Sequence, residues 1–76
     1  MTASAFTHKS LTVDFESRRV LFAGQEFELV ELRVVPKFDS RMIEYRTVDK
    51  DNKFVIFYLE QFDSGALKLT ARKFKN

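Results

Sequence analysis

The 76-residue chain contains no cysteine and no tryptophan, one proline, one histidine and two glycines. Without Cys, disulfides, thiolate catalysis and Cys-ligated zinc are excluded, and the composition suits a reducing cytoplasm. His8 has no second His near it and reads as a surface residue of the N-terminal segment rather than a metal ligand. It is also the only imidazole base that Ser10, Ser17, Ser40 or Ser64 could recruit, so nucleophilic catalysis lacks its parts. Gly24 and Gly65 stand too far apart to form a phosphate-cradling loop. Asp49, Asp51 and Asn52 alternate like the start of a calcium loop, but the Gly and closing Glu of a 12-residue loop are missing. Glu26 and Glu28 point the same way on a strand, as carboxylates on many solvated strand faces do. No enzyme activity, cofactor or metal is expected.

Long hydrophobic runs are absent too. No stretch approaches the roughly 20 apolar residues of a membrane span, and MTASAFTHKS lacks the apolar core of a secretory signal. The expectation is a flexible polar tail over residues 1–10, a single small β domain over 11–76, a cytoplasmic location and no membrane contact.

What the chain does have is phenylalanine. Nine Phe and two Tyr accompany 45% apolar and 32% charged residues, a soluble globular balance. A domain of this size buries only about 60% of its unfolded surface, so a few large side chains must carry the core. The net charge of +2 is too small to argue for nucleic acid, but it is unevenly spread. Residues 1–63 hold nine basic and eleven acidic residues, whereas 64–76 hold Lys68, Arg72, Lys73 and Lys75 with no acid.

Most of the chain alternates with period two and is rich in Val, Phe, Tyr and Thr, which predicts strands. Leu11, Val13 and Phe15 alternate with Thr12, Asp14 and Glu16, and a short strand over 19–23 follows. Gly24-Gln25 suggests a two-residue type II′ turn into EFELVELRVV (26–35), which Pro36 ends. RMIEYRTV (41–48) and KFVIFYLEQF (53–62) flank a tight loop at 49–52, and a turn at 63–66 leads to LKLTARKF (67–74). The fold class expected is all-β, a small antiparallel meander of five to six strands, curled or barrel-like because a flat sheet this small cannot bury both faces. The alternative is α+β, with a helix at about 11–23, N-capped by Ser10 and C-capped by Gly24, on a four-stranded sheet. The β-branched Thr12, Val13 and Val20 weigh against that helix.

LTVDFESRRVLFAGQEFEL resembles the small N-terminal sheet of winged-helix output domains in two-component response regulators, over about a quarter of the chain. The recognition helix of that family has no counterpart, since ELRVVPKFDSRMIEY carries Pro36 and strand periodicity. No residue or function is carried over.

A loop of 49–52 would set Val48 opposite Lys53, Ile43 opposite Tyr58 and Tyr45 opposite Ile56, and side chains directly opposite share a face. One face would then hold Ile43, Tyr45, Thr47, Phe54, Ile56, Tyr58, Phe62, Leu67, Leu69 and Ala71, joined by Val30, Leu32 and Val34. This is the expected core. The opposite face would collect Met42, Glu44, Arg46, Val55, Phe57, Leu59, Lys68, Arg72 and Phe74, an apolar spine flanked by charge. The unbroken run Phe54 to Leu59 therefore raises the question of what covers the second face. Three covers are available: the 11–23 hairpin folding over it, a protein partner or second copy of the chain, or single-stranded nucleic acid. Exposed apolar patches rimmed by polar groups mark protein contacts. Nucleic acid would stack bases on Phe57 and Phe74 and bind phosphates with Arg46, Lys68 and Arg72. KDNKFVIF (50–57) matches the RNA-recognition strand motif at Lys50, Phe54, Val55 and Phe57, but Asp51, Asn52 and Lys53 break it. The function expected is a non-enzymatic binding module using the outward face of strands 41–48, 53–62 and 67–74, with a protein partner ahead of nucleic acid.

Overall fold

The computed structural model describes residues 5–8 and 10–74, with only the backbone described for residues 5–8. The fold is all-β. Seven antiparallel strands follow one another in a single sheet in chain order: β1 (Ala5–His8), β2 (Leu11–Asp14), β3 (Arg19–Phe22), β4 (Gln25–Pro36), β5 (Ser40–Val48), β6 (Phe54–Phe62) and β7 (Leu67–Lys73). There is no helix among the described residues, so none is long and apolar enough to cross a membrane. The helix considered for 11–23 is replaced by β2, β3 and a four-residue turn, in line with the β-branched residues there. One strand more than expected comes from β1, which pairs with β2 inside the stretch read as a tail. The first four residues of that tail lie outside the described residues.

The β3–β4, β5–β6 and β6–β7 hairpins each close through residues that accept positive φ. At β3–β4, Phe22 pairs with Gln25 and leaves Ala23 and Gly24 as the two central residues, with φ of 51° and 78°. Two positive values make a type I′ turn, whose twist matches the strands, so the expected II′ turn at Gly24-Gln25 is displaced by one residue. At β5–β6, Asp49 N donates to Lys53 O over 3.0 Å, leaving a three-residue loop that ends on Asn52 with φ 64°. At β6–β7, Phe62 N donates to Ala66 O over 2.9 Å, leaving a three-residue loop that ends on Gly65 with φ 96°. Both loops are three-residue hairpin loops closed by a left-handed residue, which Asn and Gly tolerate best.

These turns overturn the expected registers. Val48 pairs with Phe54 rather than Lys53, and Leu67 pairs with Gln61 rather than Phe62. A one-residue slip moves every side chain of a strand to the other face. Each slip is one residue, so together they offset β7 from β5 by two, β5 and β7 keep their expected faces and β6 alone is reversed. Val55, Phe57 and Leu59 therefore join Tyr45 and Thr47 in the core, whereas Phe54, Ile56, Tyr58 and Phe62 lie on the outer face.

The inner face of the curled sheet is the core: Leu11, Val13, Val20, Phe27, Leu29, Tyr45, Val55, Phe57 and Leu59 are buried, with Phe22, Ile43 and Leu69 packed against them. Curling brings β3 and β4 over β6. The Phe22 and Phe27 rings stand 5.1 and 5.3 Å from the Phe57 ring, the second pair edge to face, a favourable aromatic geometry. The β2–β3 hairpin is thus the cover of the β6 apolar run.

Candidate functional site

Building the site starts from β4, whose 12 residues are three times the length of its first neighbour β3. β3 pairs only with Gln25 to Glu28, and the last contact from that side is Leu29 N donating to Arg18 O over 2.9 Å. Leu29 pairs with Thr47 and Glu31 with Arg46, so Val30 is an extra residue, a bulge that bends the strand where its cover stops. The bulge also changes parity. Phe27 and Leu29 face inward at odd positions, and Leu32 and Val34 at even ones.

Beyond the bulge the half-barrel is open. Cross-strand pairs carry an aliphatic row, Val34–Ile43–Leu59–Leu69, over four strands on the inner face. Leu59 is fully buried, Ile43 and Leu69 partly, and the ends of this region are exposed, with Val34 at 52%, Leu32 at 42% and Leu67 at 38%. At the tip of the β4–β5 hairpin Phe38 is fully exposed. This trough is the continuation of the core past its cover.

The outer face of β5–β7 is different in kind. Arg46, Ile56 and Arg72 lie in one row, Glu44, Tyr58 and Thr70 in the next, and Met42, Glu60 and Lys68 in a third. Arg46 is engaged by Glu31 at 3.6 Å and Glu44 at 3.4 Å. Glu60 accepts from the Ser40 hydroxyl at 3.0 Å and pairs with Lys37 at 3.5 Å, although Lys68 is its cross-strand neighbour. The Arg72 guanidinium sits over the Phe74 ring, 5.3 Å from its centre. Ile56 is nearly buried between Arg46 and Arg72, whose aliphatic stems can cover it.

The nine residues expected to form one partner surface are accordingly divided. Met42, Glu44, Arg46, Lys68 and Arg72 share the outer face, with Phe74 beside Arg72. Val55, Phe57 and Leu59 are buried on the opposite face. Phe57 is thereby removed as a stacking platform. Sequence reasoning missed the trough as an open surface, because nothing local says where the β2–β3 cover ends. The parity change between Leu29 and Leu32 marks the bulge but not the end of the cover.

Among the described residues no group of three His, Cys, Asp or Glu stands together as a metal cage. Asp49 instead organises the β5–β6 turn: its carboxylate accepts from Lys53 N at 2.9 Å and Asp51 N at 2.8 Å. The bond from Lys53 leads in holding the Asp49 carboxyl below the usual carboxylate range, aided by Asp51 N and the charges of Lys53 and Lys73. Burial pushes the Tyr45 hydroxyl up from its ordinary value. No protein-family model, curated protein or solved structure matches the chain.

Proposed function

We propose that the chain is a non-enzymatic protein-binding module whose contact surface is the open trough around Leu32, Val34, Ile43, Leu67 and Leu69. The observation that carries this is the aliphatic row Val34–Ile43–Leu59–Leu69, which leaves the β2–β3 cover and ends half-exposed at β4. An apolar strip rimmed by polar groups is the chemistry of a protein contact. The row carries no cation for a phosphate. The nucleic-acid alternative retains Lys68, Arg72 and Phe74, because Phe57 is buried and Arg46 is held by two carboxylates.

The test is backbone-amide and methyl chemical-shift mapping on the full chain with cell lysate and, separately, with a single-stranded oligonucleotide. Shifts centred on Leu32, Val34, Ile43 and Leu69 that vanish in Leu32→Asp and Val34→Asp are expected. Shifts confined to Lys68, Arg72 and Phe74 on adding oligonucleotide, fading with salt, would replace this reading with the nucleic-acid one.

A further inference from the structure

Among the described residues β7 is the last strand of the sheet, and one of its edges has no neighbour. In an antiparallel ladder, residues alternate between exchanging backbone hydrogen bonds with the partner and pointing those groups away. Phe62 N donates to Ala66 O and Phe74 N to Phe54 O, which fixes the alternation at both ends of β7. Leu67, Leu69, Ala71 and Lys73 therefore direct their N–H and C=O groups outward. That is an edge of seven residues, long enough to template another strand, with no proline and no register shift in its pairing to β6.

The side chains along this edge are sorted by parity. Leu67, Leu69 and Ala71 share the inner face with the trough, and Lys68, Thr70 and Arg72 share the outer face. No acid lies in β7, and no ion pair among the described residues engages Lys68 or Arg72. A second copy is a poor occupant in the register centred on Thr70: two β7 strands pairing antiparallel there would set Lys68 against Arg72 twice, and like charges directly opposite repel.

We propose that the β7 edge takes an extended segment of another protein by strand addition, one that alternates apolar and acidic residues. Its backbone completes the bonds of Leu67, Leu69, Ala71 and Lys73. Its apolar side chains extend the inner-face row beyond Leu69, and its carboxylates meet Lys68 and Arg72 on the outer face. The same cations disfavour self-pairing centred on Thr70 and select the acidic strand. The proposal rests on the protein-binding reading above and names the partner's chemistry.

The test uses the full chain, 15N-labelled, and a synthetic peptide alternating Val and Glu, with a Val/Lys peptide and a non-alternating Val/Glu peptide of equal composition as controls. The expected result is slowed exchange of the Leu69 and Ala71 amides with the Val/Glu peptide only, weakening as salt rises. Ala71→Pro removes an outward N–H without touching the bonds to β6, a change edge strands tolerate. It should weaken binding by about tenfold or more, the effect of losing one hydrogen bond and blocking the edge. Lys68→Glu with Arg72→Glu, which leaves the backbone alone, should reverse the preference toward the Val/Lys peptide. Binding of the two Val/Glu peptides with equal strength, or binding indifferent to both sets of substitutions, overturns strand addition. If no peptide binds while lysate still shifts Leu32 and Val34, the edge proposal fails and the protein-binding reading stands. If lysate also leaves the trough unmoved, both fail.

Discussion

Strands β4 to β7 run through both ends of the half-barrel with the same kinds of residue, yet one end is a core and the other a surface. At the closed end Phe22 and Phe27 pack on Phe57, and Leu11, Val13 and Val20 lie behind them with no exposure. At the open end Leu32 and Val34 are as apolar as Val13 and Val20 but stand about half in water. Composition does not separate them. The difference is cover: β3 stops opposite Glu28, and from the Val30 bulge onward β4 has a neighbour on one side only. An apolar residue becomes core when a second layer reaches it, and in this chain the second layer is the short β2–β3 hairpin.

The comparison breaks most visibly through paired truncations. Phe57→Ala at the closed end should destabilise by about 3–5 kcal/mol, enough to unfold most of a small domain, because it opens a cavity among Phe22, Phe27 and Tyr45. Leu32→Ala at the open end should change stability by less than about 0.5 kcal/mol, as surface substitutions do. Urea melts of the two variants check this, and similar losses would mean that the trough is core. Thr47→Val probes the polar seam of the closed end. The buried Thr47 hydroxyl donates to Val55 O over 2.7 Å, and removing that bond while keeping the shape should lose about 1 kcal/mol in the same melts.

A fourth substitution sharpens the comparison by tightening the cover. Ala23 occupies the left-handed region in the β3–β4 turn, where a Cβ is disfavoured and Asn is accepted. Ala23→Asn should raise stability by about 0.5–1 kcal/mol, and hydrogen exchange should slow at Val20 and Phe27 more than at Val34. The smallest effect is at Asp49. Its folded-state pKa is lowered, so the stability it contributes is present above the ordinary Asp value and is lost as pH falls through the lowered folded value. The amide shifts of Asp51 and Lys53 should titrate together with a midpoint below that of a free Asp side chain. In Asp49→Asn this acid-side titration should vanish, leaving the open end unaffected.

How far the sequence reached can be traced residue by residue. The alternation of Leu11, Val13, Ile43, Tyr45 and Thr47, and the β-branched residues at 12, 13 and 20, determined an all-β meander and put the right face of β5 and β7 inward. These are local properties: side-chain parity follows from strand geometry alone. The unbroken run Phe54 to Leu59 marked a strand but left its orientation open, since either parity is apolar. Only the hydrogen bonds of the turns decided it. A loop of 50–52 ending on Asn52, rather than 49–52, sends Phe57 inward and Ile56 outward. A hairpin loop differs between those two cases by one residue, a distinction carried by a single left-handed φ that Asn permits without requiring. Where the cover ends is likewise tertiary. The residues of the trough obey the same period as the core, and their exposure follows from the reach of a hairpin joined to β4 by backbone bonds, which no window along the chain contains.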